Sequence, residues 1–241
     1  DYYASRGLGD VYKRQEKKLC ESIRRHRNGR HTREKNYRYA CEVFSKVPVK
    51  PGKKKRVGIT GEIYMKYSKL GNDDIESFLL RQGMEPYSGG FVNYCLYLVD
   101  TERYKAEKYQ HNPVMAKACA FVLHRLCEAQ KHLLTVIGET DRFQTDLPFP
   151  ELKEKVQGIL AEGCNTGDGW LIAAEVIQYV EKGCGSVLIL HPFGCLVSHV
   201  CERGILQRLH ARFPDVSIQT IEYDYDQSKT LRESRILLAI S

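Results

Sequence analysis

Residues 186–190, SVLIL, form a strand pattern in which polar and apolar residues do not alternate. Such a continuous run is expected where helices cover both faces of a parallel sheet. An amphipathic helical pattern precedes it at 167–182, and a second follows at about 197–212, ahead of a strand pattern at 216–222. A strand, a helix and a strand at this spacing predict a right-handed βαβ unit. The predicted fold is therefore α/β: an open, mostly parallel, Rossmann-like sheet with flanking helices and a helical N-terminal leader.

The rest of the chain extends this pattern. Residues 56–60 favour a short strand, whereas residues 91–98 are apolar enough for either a strand or a turn of helix. Further helices are predicted over residues 74–82, 113–137, 151–160 and 228–240. Residues 16–46 suggest two short helices broken near Asn28-Gly29, and the VPVKPGKKKR segment that follows reads as a linker.

Charge is unevenly distributed along the 241 residues. Residues 1–56 carry 18 Lys and Arg against 6 Asp and Glu, whereas residues 57–241 carry 19 against 24. This asymmetry is typical of a solvated arm joined to a folded body. The basic part contains no known nucleic-acid-binding motif, and no apolar run is long enough to span a bilayer. We therefore expect no nucleic-acid or membrane partner, and the lack of a secretory pattern predicts a cytoplasmic protein.

Residues 1–15, DYYASRGLGDVYKRQ, have no helical or strand periodicity and join abruptly to the charged helical pattern. The GLGDVYKRQ string resembles translated sequencing-adapter read-through, which predicts that the chain is the C-terminal part of something longer. The expected organisation is an artefact at 1–15, a basic helical leader and linker at 16–54, and one α/β domain at 55–241.

Polar, glycine-containing segments are predicted at the carboxyl edge of the sheet, where open α/β folds bind ligands. They are residues 60–62, 164–167, 191–195 and 223–226. Cys195 lies between a strand and a helix N-terminus, where free N–H groups favour a thiolate, and Cys164 also precedes a helix. Soft metals and iron–sulfur clusters require thiolates, so these two cysteines are candidate ligands. His191 and His199 flank Cys195, but the sequence identifies no acid for a Cys–His nucleophile pair.

Two other classes of function remain open. The nine cysteines include no C-x-x-C pair, which argues against a zinc ribbon, a thioredoxin-like site and a ferredoxin-like cluster. A scaffold or partner-binding domain would use its cysteines only for packing, as the helical patterns predict for Cys119, Cys127 and Cys201. A Rossmann-like enzyme would instead bind a nucleotide or CoA at Gly61 and Gly167.

Three ordered segments carry a family resemblance. They are VGITGEIYMKYSKLGNDDIESFL, CNTGDGWLIAAEVIQYVEKG and HPFGCLVSHVCERGILQRLHARFPDVSIQTIEYDYD. They are similar to the C-terminal region of acyl-CoA dehydratase activase-related proteins. These belong with the 2-hydroxyacyl-CoA dehydratase D-component-like and double-cubane cluster proteins of anaerobes. The similarity covers roughly residues 55–241.

The resemblance implies a module that helps to hold an oxygen-sensitive iron–sulfur cluster, of 4Fe-4S or double-cubane type. In such systems an ATP-hydrolysing activase drives low-potential electrons into chemistry on acyl-CoA thioesters. The implied partners are an upstream nucleotide-binding activase domain or subunit and an acyl-CoA dehydratase-type protein. Cys195 matches the family's P-F-G-C cysteine and Cys164 its C-N-T-G cysteine, while Glu62 and Trp170 line the site by motif position. Missing upstream sequence would complete the ligand set, so we expect a part of a redox enzyme or activase that is inactive alone.

Overall fold

The computed structural model describes residues 17, 20, 21, 24, 30–47, 54–140 and 142–241. The expected artefact at 1–15 and the expected helix break at Asn28-Gly29 lie outside the described residues. The chain divides into two compact units. The leader unit is residues 1–53 with 127–146, and the sheet unit is residues 54–126 with 147–241.

Helix α1, Arg30–Ser45, belongs to the leader unit. Cys41 and Val43 on this helix are buried. Arg38 pairs with Glu34 one turn away, at 3.1 Å, and with Glu139. These charged side chains are about half exposed, so the pairs add little stability.

The described residues of the sheet unit form one four-stranded, all-parallel sheet with the order β2-β1-β3-β4. The strands are β1 (Arg56–Gly61), β2 (Glu85–Tyr87), β3 (Ser186–Pro192) and β4 (Ser217–Tyr223). Strand β3 pairs with both β1 and β4, and its residues 186–191 are all buried. Burial on both faces explains the unbroken apolar run, because a central strand has no solvent side. The predicted open, parallel α/β fold is confirmed.

The helices differ from the predicted ones in several places: the helix predicted over 151–160 is Phe149–Lys155, and the helix Ile63–Tyr67 was not predicted. The remaining α-helices are α2 (Ile63–Tyr67), α3 (Ile75–Arg81), α4 (Phe91–Lys108), α5 (Pro113–Gly138), α6 (Phe149–Lys155), α7 (Gly169–Glu181), α8 (Leu206–Arg212) and α9 (Lys229–Ile240). The undecided residues 91–98 are thus the start of α4. A single helix over 197–212 is wrong, because a π-helical turn (Ser198–Glu202) and a 3₁₀ turn (Arg203–Ile205) precede α8. In the described part of the chain, none of the helices combines the length and apolar character needed to cross a membrane.

Residues of the sheet alternate between two apolar layers. One layer contains Val57, Ile59, Met65, Ile75, Phe78, Leu79, Leu188, Leu190, Ile221, Ile236, Ala239 and Ile240. Helix α7 covers the other face. Gly58 lies under Tyr179 of α7, which comes within 2.8 Å of the position that a Cβ would take. A glycine inside this strand is therefore explained by the close approach of a helix.

Helix α9 has a side-chain cap whose removal should be measurable. The Ser228 hydroxyl accepts a hydrogen bond from the Leu231 N–H at 3.3 Å. Ser228→Ala should lower the free energy of unfolding by about 1 kcal/mol in urea denaturation, because that N–H loses its acceptor. Ser234→Ala on the same helix, which removes an exposed hydroxyl, should stay within about 0.5 kcal/mol. Equal losses in both variants would contradict the capping role.

Candidate functional site

The carboxyl ends of β1 and β3 lie side by side. Gly61 pairs with Leu190, and the next N–H, that of Glu62, donates to the Leu190 carbonyl at 2.9 Å. Gly61 has a φ of 130°, and a Cβ there would stand 2.0 Å from the Leu190 oxygen, so only glycine fits. Glu62 thus leaves the sheet at its carboxyl edge. Its carboxylate accepts from the Met65 N–H at 3.0 Å and caps α2.

Two cysteine-bearing turns meet at this edge. Cys164 begins the turn that enters α7, and its carbonyl oxygen would stand 2.1 Å from a Cβ on Gly169, whose φ is 32°. Gly167 in the same turn lies against Val197, 3.1 Å from where its own Cβ would be. Val197 follows Cys195 by two residues, so this contact places the two turns together.

Three thiols gather where the turns meet. The thiol of Cys201 lies within electrostatic reach of Cys164 and of Cys195. Burial, and next the adjacent Cys164 thiol, raise the pKa of the Cys201 thiol. Cys164 and Cys195 are half-buried, whereas Cys201 is buried. The structure therefore brings together the two predicted ligands and a third cysteine that the sequence analysis assigned to packing, because its neighbourhood reads as a regular helix.

Three carboxyl groups lie beside the thiols. The Ile63 N–H donates to Asp168 Oδ2 at 3.4 Å, yet burial, and then the nearby Glu62, raise the pKa of Asp168 to about 7. Burial also raises the pKa of Glu202 to about 8, although the Ser198 hydroxyl donates to its Oε1 at 2.8 Å. Among the described residues, no group hydrogen-bonds to the buried Oε2 of Glu202. At pH 7 Glu202 is therefore mostly protonated and Asp168 about half protonated, so the edge is less negative than its composition suggests.

A buried ion pair supports this edge from inside. Lys66 Nζ lies 2.7 Å and 2.8 Å from the two carboxylate oxygens of Glu175, and the two side chains are 3% and 5% exposed. The Thr60 hydroxyl also donates to Glu175, at 2.5 Å. Burial alone would lower the pKa of Lys66, but the attraction of Glu175 raises it well above its usual value. Lys66, Glu175 and Asp168 line a cavity of about 10 Å³, room for about one water molecule.

Trp170, expected to line the site, is 1% exposed and lies in the core of the sheet unit. Its ring centre is 5.1 Å from that of Tyr97 and 5.8 Å from that of Phe149, and Lys153 Nζ lies 5.9 Å from it. Tyr97 in turn interacts electrostatically with Asp168. Trp170 is therefore linked to the carboxyl edge by its contact with Tyr97. Its role in lining the site stays a prediction.

An acid that the sequence analysis did not identify lies beside the two histidines. Glu222 pairs with His191 across β3 and β4. One of its carboxylate oxygens is 3.9 Å from His191 Nδ1, 3.9 Å from His199 Nε2 and 2.8 Å from Arg203. Burial lowers the pKa of His191. Arg203 forms an ion pair with the Glu222 carboxylate, and the imidazole rings of His191 and His199 flank this pair.

The thiols of Cys164 and Cys195 are the ligand type that an iron–sulfur cluster requires. In a 4Fe-4S cluster each thiolate binds its own iron atom, so ligands from two different turns need not meet at one point. Cys164 and Cys195 have this arrangement. In the part of the chain that the structure describes, no three His, Cys, Asp or Glu side chains are placed to hold one metal ion. Cys164 and Cys195 carry the thiol group that such a cluster binds. The remaining ligands of the cluster would come from other sequence.

Packing accounts for both glycines that a nucleotide-binding enzyme would use. The Leu190 oxygen fills the space over Gly61, and the Val197 side chain fills that over Gly167. Both glycines are therefore explained without a bound phosphate.

Comparisons of the chain with protein-family models, curated proteins and solved structures found no match. The inference of function therefore starts from the carboxyl-edge geometry and from the three sequence segments quoted above.

Proposed function

We propose that the chain is an iron–sulfur module of an ATP-dependent, low-potential electron-transfer system related to 2-hydroxyacyl-CoA dehydratase and its activase. Cys195 and Cys164 are its cluster ligands. The observation that carries the proposal is the meeting of the two cysteine turns at the carboxyl edge, where Gly167 packs on Val197. Both cysteines are half-buried, so their thiols are not sealed in the core. The resemblance of the three segments to activase-related proteins supports the same function.

The chain's own residues hold the two thiols in place. The Cys195 N–H donates to the Pro192 carbonyl at 3.3 Å, and the Cys195 carbonyl accepts from the His199 N–H at 3.1 Å. The Cys164 carbonyl accepts from the Trp170 N–H at 2.9 Å. Fixed backbones lower the cost of ordering the ligands. A bound cluster would supply one-electron chemistry at low potential.

In this proposal the module works in the cytoplasm with a nucleotide-binding activase domain or subunit and an acyl-CoA dehydratase-type partner. The remaining cluster ligands come from sequence that accompanies this chain or from the partner. The raised pKa values of Asp168 and Glu202 suit such a site, since their partial protonation near pH 7 limits repulsion between carboxylates and thiolates.

Anaerobic purification of the full-length gene product, followed by iron and sulfide analysis, tests the proposal. The wild type should be brown, with a sulfur-to-iron charge-transfer band. Cys195→Ala and Cys164→Ala should each lower the iron content severalfold, because each removes a ligand. Cys184→Ala is the matched control, since Cys184 is 2% exposed and precedes β3 at the opposite edge of the sheet. Its iron content should equal that of the wild type.

A colourless, iron-free full-length protein after reconstitution would overturn the proposal. Equal iron loss in all three variants would attribute the loss to unfolding, and circular dichroism of each variant separates that case. Tight binding of a nucleotide or CoA without iron would favour the Rossmann-like enzyme instead.

A further inference from the structure

A surface groove lies between the C-terminal half of α4 and the first turns of α5. Its volume is about 470 Å³, which is within the usual range for pockets that bind small molecules. All of its lining residues lie between positions 103 and 120 and therefore belong to the sheet unit. None of them belongs to the two cysteine turns, so the groove has no part in the proposed cluster site.

Small apolar side chains form most of the surface of the groove. Ala106 of α4 is 1% exposed, and Pro113, Ala116 and Ala120 of α5 line the groove with it. Ala116 and Ala120 are one helical turn apart, so their methyl groups lie on the same side of α5. No Phe, Tyr or Trp of the described residues lines the groove. Such walls suit an aliphatic chain, whose burial is favourable in proportion to its apolar area.

Two cations line the groove and keep unused hydrogen-bond donors. Arg103 Nε donates to Asp100 Oδ1 and Arg103 Nη1 donates to Glu107 Oε2, both at 2.9 Å. Asp100 is 3% exposed, so it holds the guanidinium from inside the protein. The Nη2 group of Arg103 and the ammonium of Lys117 have no acceptor among the described residues. With histidine neutral, two cations and the Glu107 carboxylate leave the lining with a net charge of +1.

The turn between the two helices fixes the shape of the groove. The Asn112 N–H donates to the Ala106 carbonyl at 2.8 Å, and Asn112 Oδ1 accepts from the Met115 N–H at 3.0 Å. These bonds tie the end of α4 to the start of α5. Since the amide oxygen of Asn112 bonds to α5, its NH₂ group remains a further donor at the groove. A preformed site loses less conformational entropy when it binds a ligand.

We propose that this groove is a binding site for an aliphatic monocarboxylate. The carboxylate accepts hydrogen bonds from Arg103 Nη2 and Lys117 Nζ, and these bonds are strong because both partners are charged. The aliphatic chain covers Ala106, Ala116 and Ala120. A single negative charge matches the net charge of the lining, whereas a cationic amphiphile would be repelled by it.

Isothermal titration calorimetry of the full-length gene product with octanoate tests this inference. Octanoate should bind at one saturable site per chain with a Kd below about 1 mM, the affinity expected of a ligand of this size. Octanol has the same chain without the charge and should bind at least about tenfold more weakly, because it forms no charge-assisted hydrogen bond. Octylammonium should show no saturable binding.

Two variants locate the ligand. Lys117→Met removes the ammonium but keeps the stem of the side chain, and Ala120→Leu fills part of the groove. Each should raise the Kd of octanoate about tenfold. Arg125→Met and Ala118→Leu are the matched controls, since both residues lie on α5 but do not line the groove. Their Kd should stay within about twofold of the wild type. All four positions are exposed, so the substitutions leave the fold intact, which circular dichroism verifies.

The absence of saturable octanoate binding would overturn the inference. Equal effects of the groove variants and the controls would also overturn it, because the ligand would then lie on the exposed apolar surface of α5 instead of in the groove. Octanol that binds as tightly as octanoate would contradict the role of the two cations. The cluster ligands do not line the groove, so octanoate should bind equally to the iron-containing and the iron-free protein. Failure of either proposal therefore leaves the other intact.

Discussion

Replacing Lys66 by methionine should lower the free energy of unfolding by about 3–5 kcal/mol. Both oxygens of Glu175 contact Lys66 Nζ, at 2.7 Å and 2.8 Å, in a region where the two side chains are 3% and 5% exposed. Methionine fills the space of the lysine stem but leaves the Glu175 carboxylate buried without its cation. The hydroxyl of Thr60 is one donor and does not replace a full positive charge. Urea denaturation at pH 7 measures the loss.

Two further variants show whether the loss comes from the uncompensated charge. Glu175→Gln combined with Lys66→Met should recover most of the stability, because the amide is neutral and still accepts from Thr60. Lys155→Met breaks an exposed pair with Glu181, whose N–O distance is 2.8 Å, and should cost less than about 1 kcal/mol. If Lys66→Met costs no more than Lys155→Met, the charge of Glu175 is hydrated and the argument fails.

The sheet follows from the sequence wherever a strand is central. Strand β3 is recognisable from its five-residue apolar run, and β1 and β4 begin and end within about two residues of the predicted bounds. Strand β2 was missed because it has three residues, Glu85–Tyr87, and contains Pro86. A proline is tolerated only at the edge of a sheet, so such a strand has no pattern to recognise. Strand β2 forms because it pairs with β1 in the folded protein.

The helices show a different limit of sequence analysis. Residues 91–98 carry too many apolar side chains in succession to distinguish a strand from a helix. The predicted helix over 197–212 follows a correct apolar spacing but misses the π-helical turn Ser198–Glu202, which carries Cys201. Glu202 in that turn is fully buried and bonds to Ser198. A charged residue inside a helical pattern predicts an exposed position, so its burial is a tertiary effect.

The candidate site likewise combines features that the sequence predicts with features that arise only from packing in the folded protein. The carboxyl-edge rule correctly predicts that the turns of Cys195 and Glu62 lie at one end of the sheet, since each follows a strand. The turn of Cys164 follows no strand, and only the packing of Gly167 on Val197 brings it there. Asp168 was not predicted as a site residue. Its raised pKa arises from burial and from Glu62, which is distant in sequence.

Glu202→Gln should stabilise the protein at pH 9 by about 2–4 kcal/mol and have little effect at pH 5. The folded-state pKa of Glu202 is raised to about 8 by burial, so the native state holds a proton that the unfolded state releases above a pH of about 4.3. The native state binds more protons between these values, and stability therefore falls as the pH rises through this interval. The favourable contribution of the protonated acid is complete below the lower value and lost above the upper one.

Glutamine does not titrate, so the difference between variant and wild type should increase with pH and level off above about 8. Asp168 titrates in the same direction and interacts electrostatically with Glu202, so the difference reports Glu202 together with its coupling to Asp168. Urea unfolding with reductant at pH 5, 7 and 9 measures it, and Glu154→Gln, at an exposed position, should show no such trend. A difference that is equal at pH 5 and pH 9 would mean that Glu202 is ionised in the folded protein throughout. A second buried carboxylate beside Cys201 would then make this edge strongly anionic and unsuited to hold thiolates together.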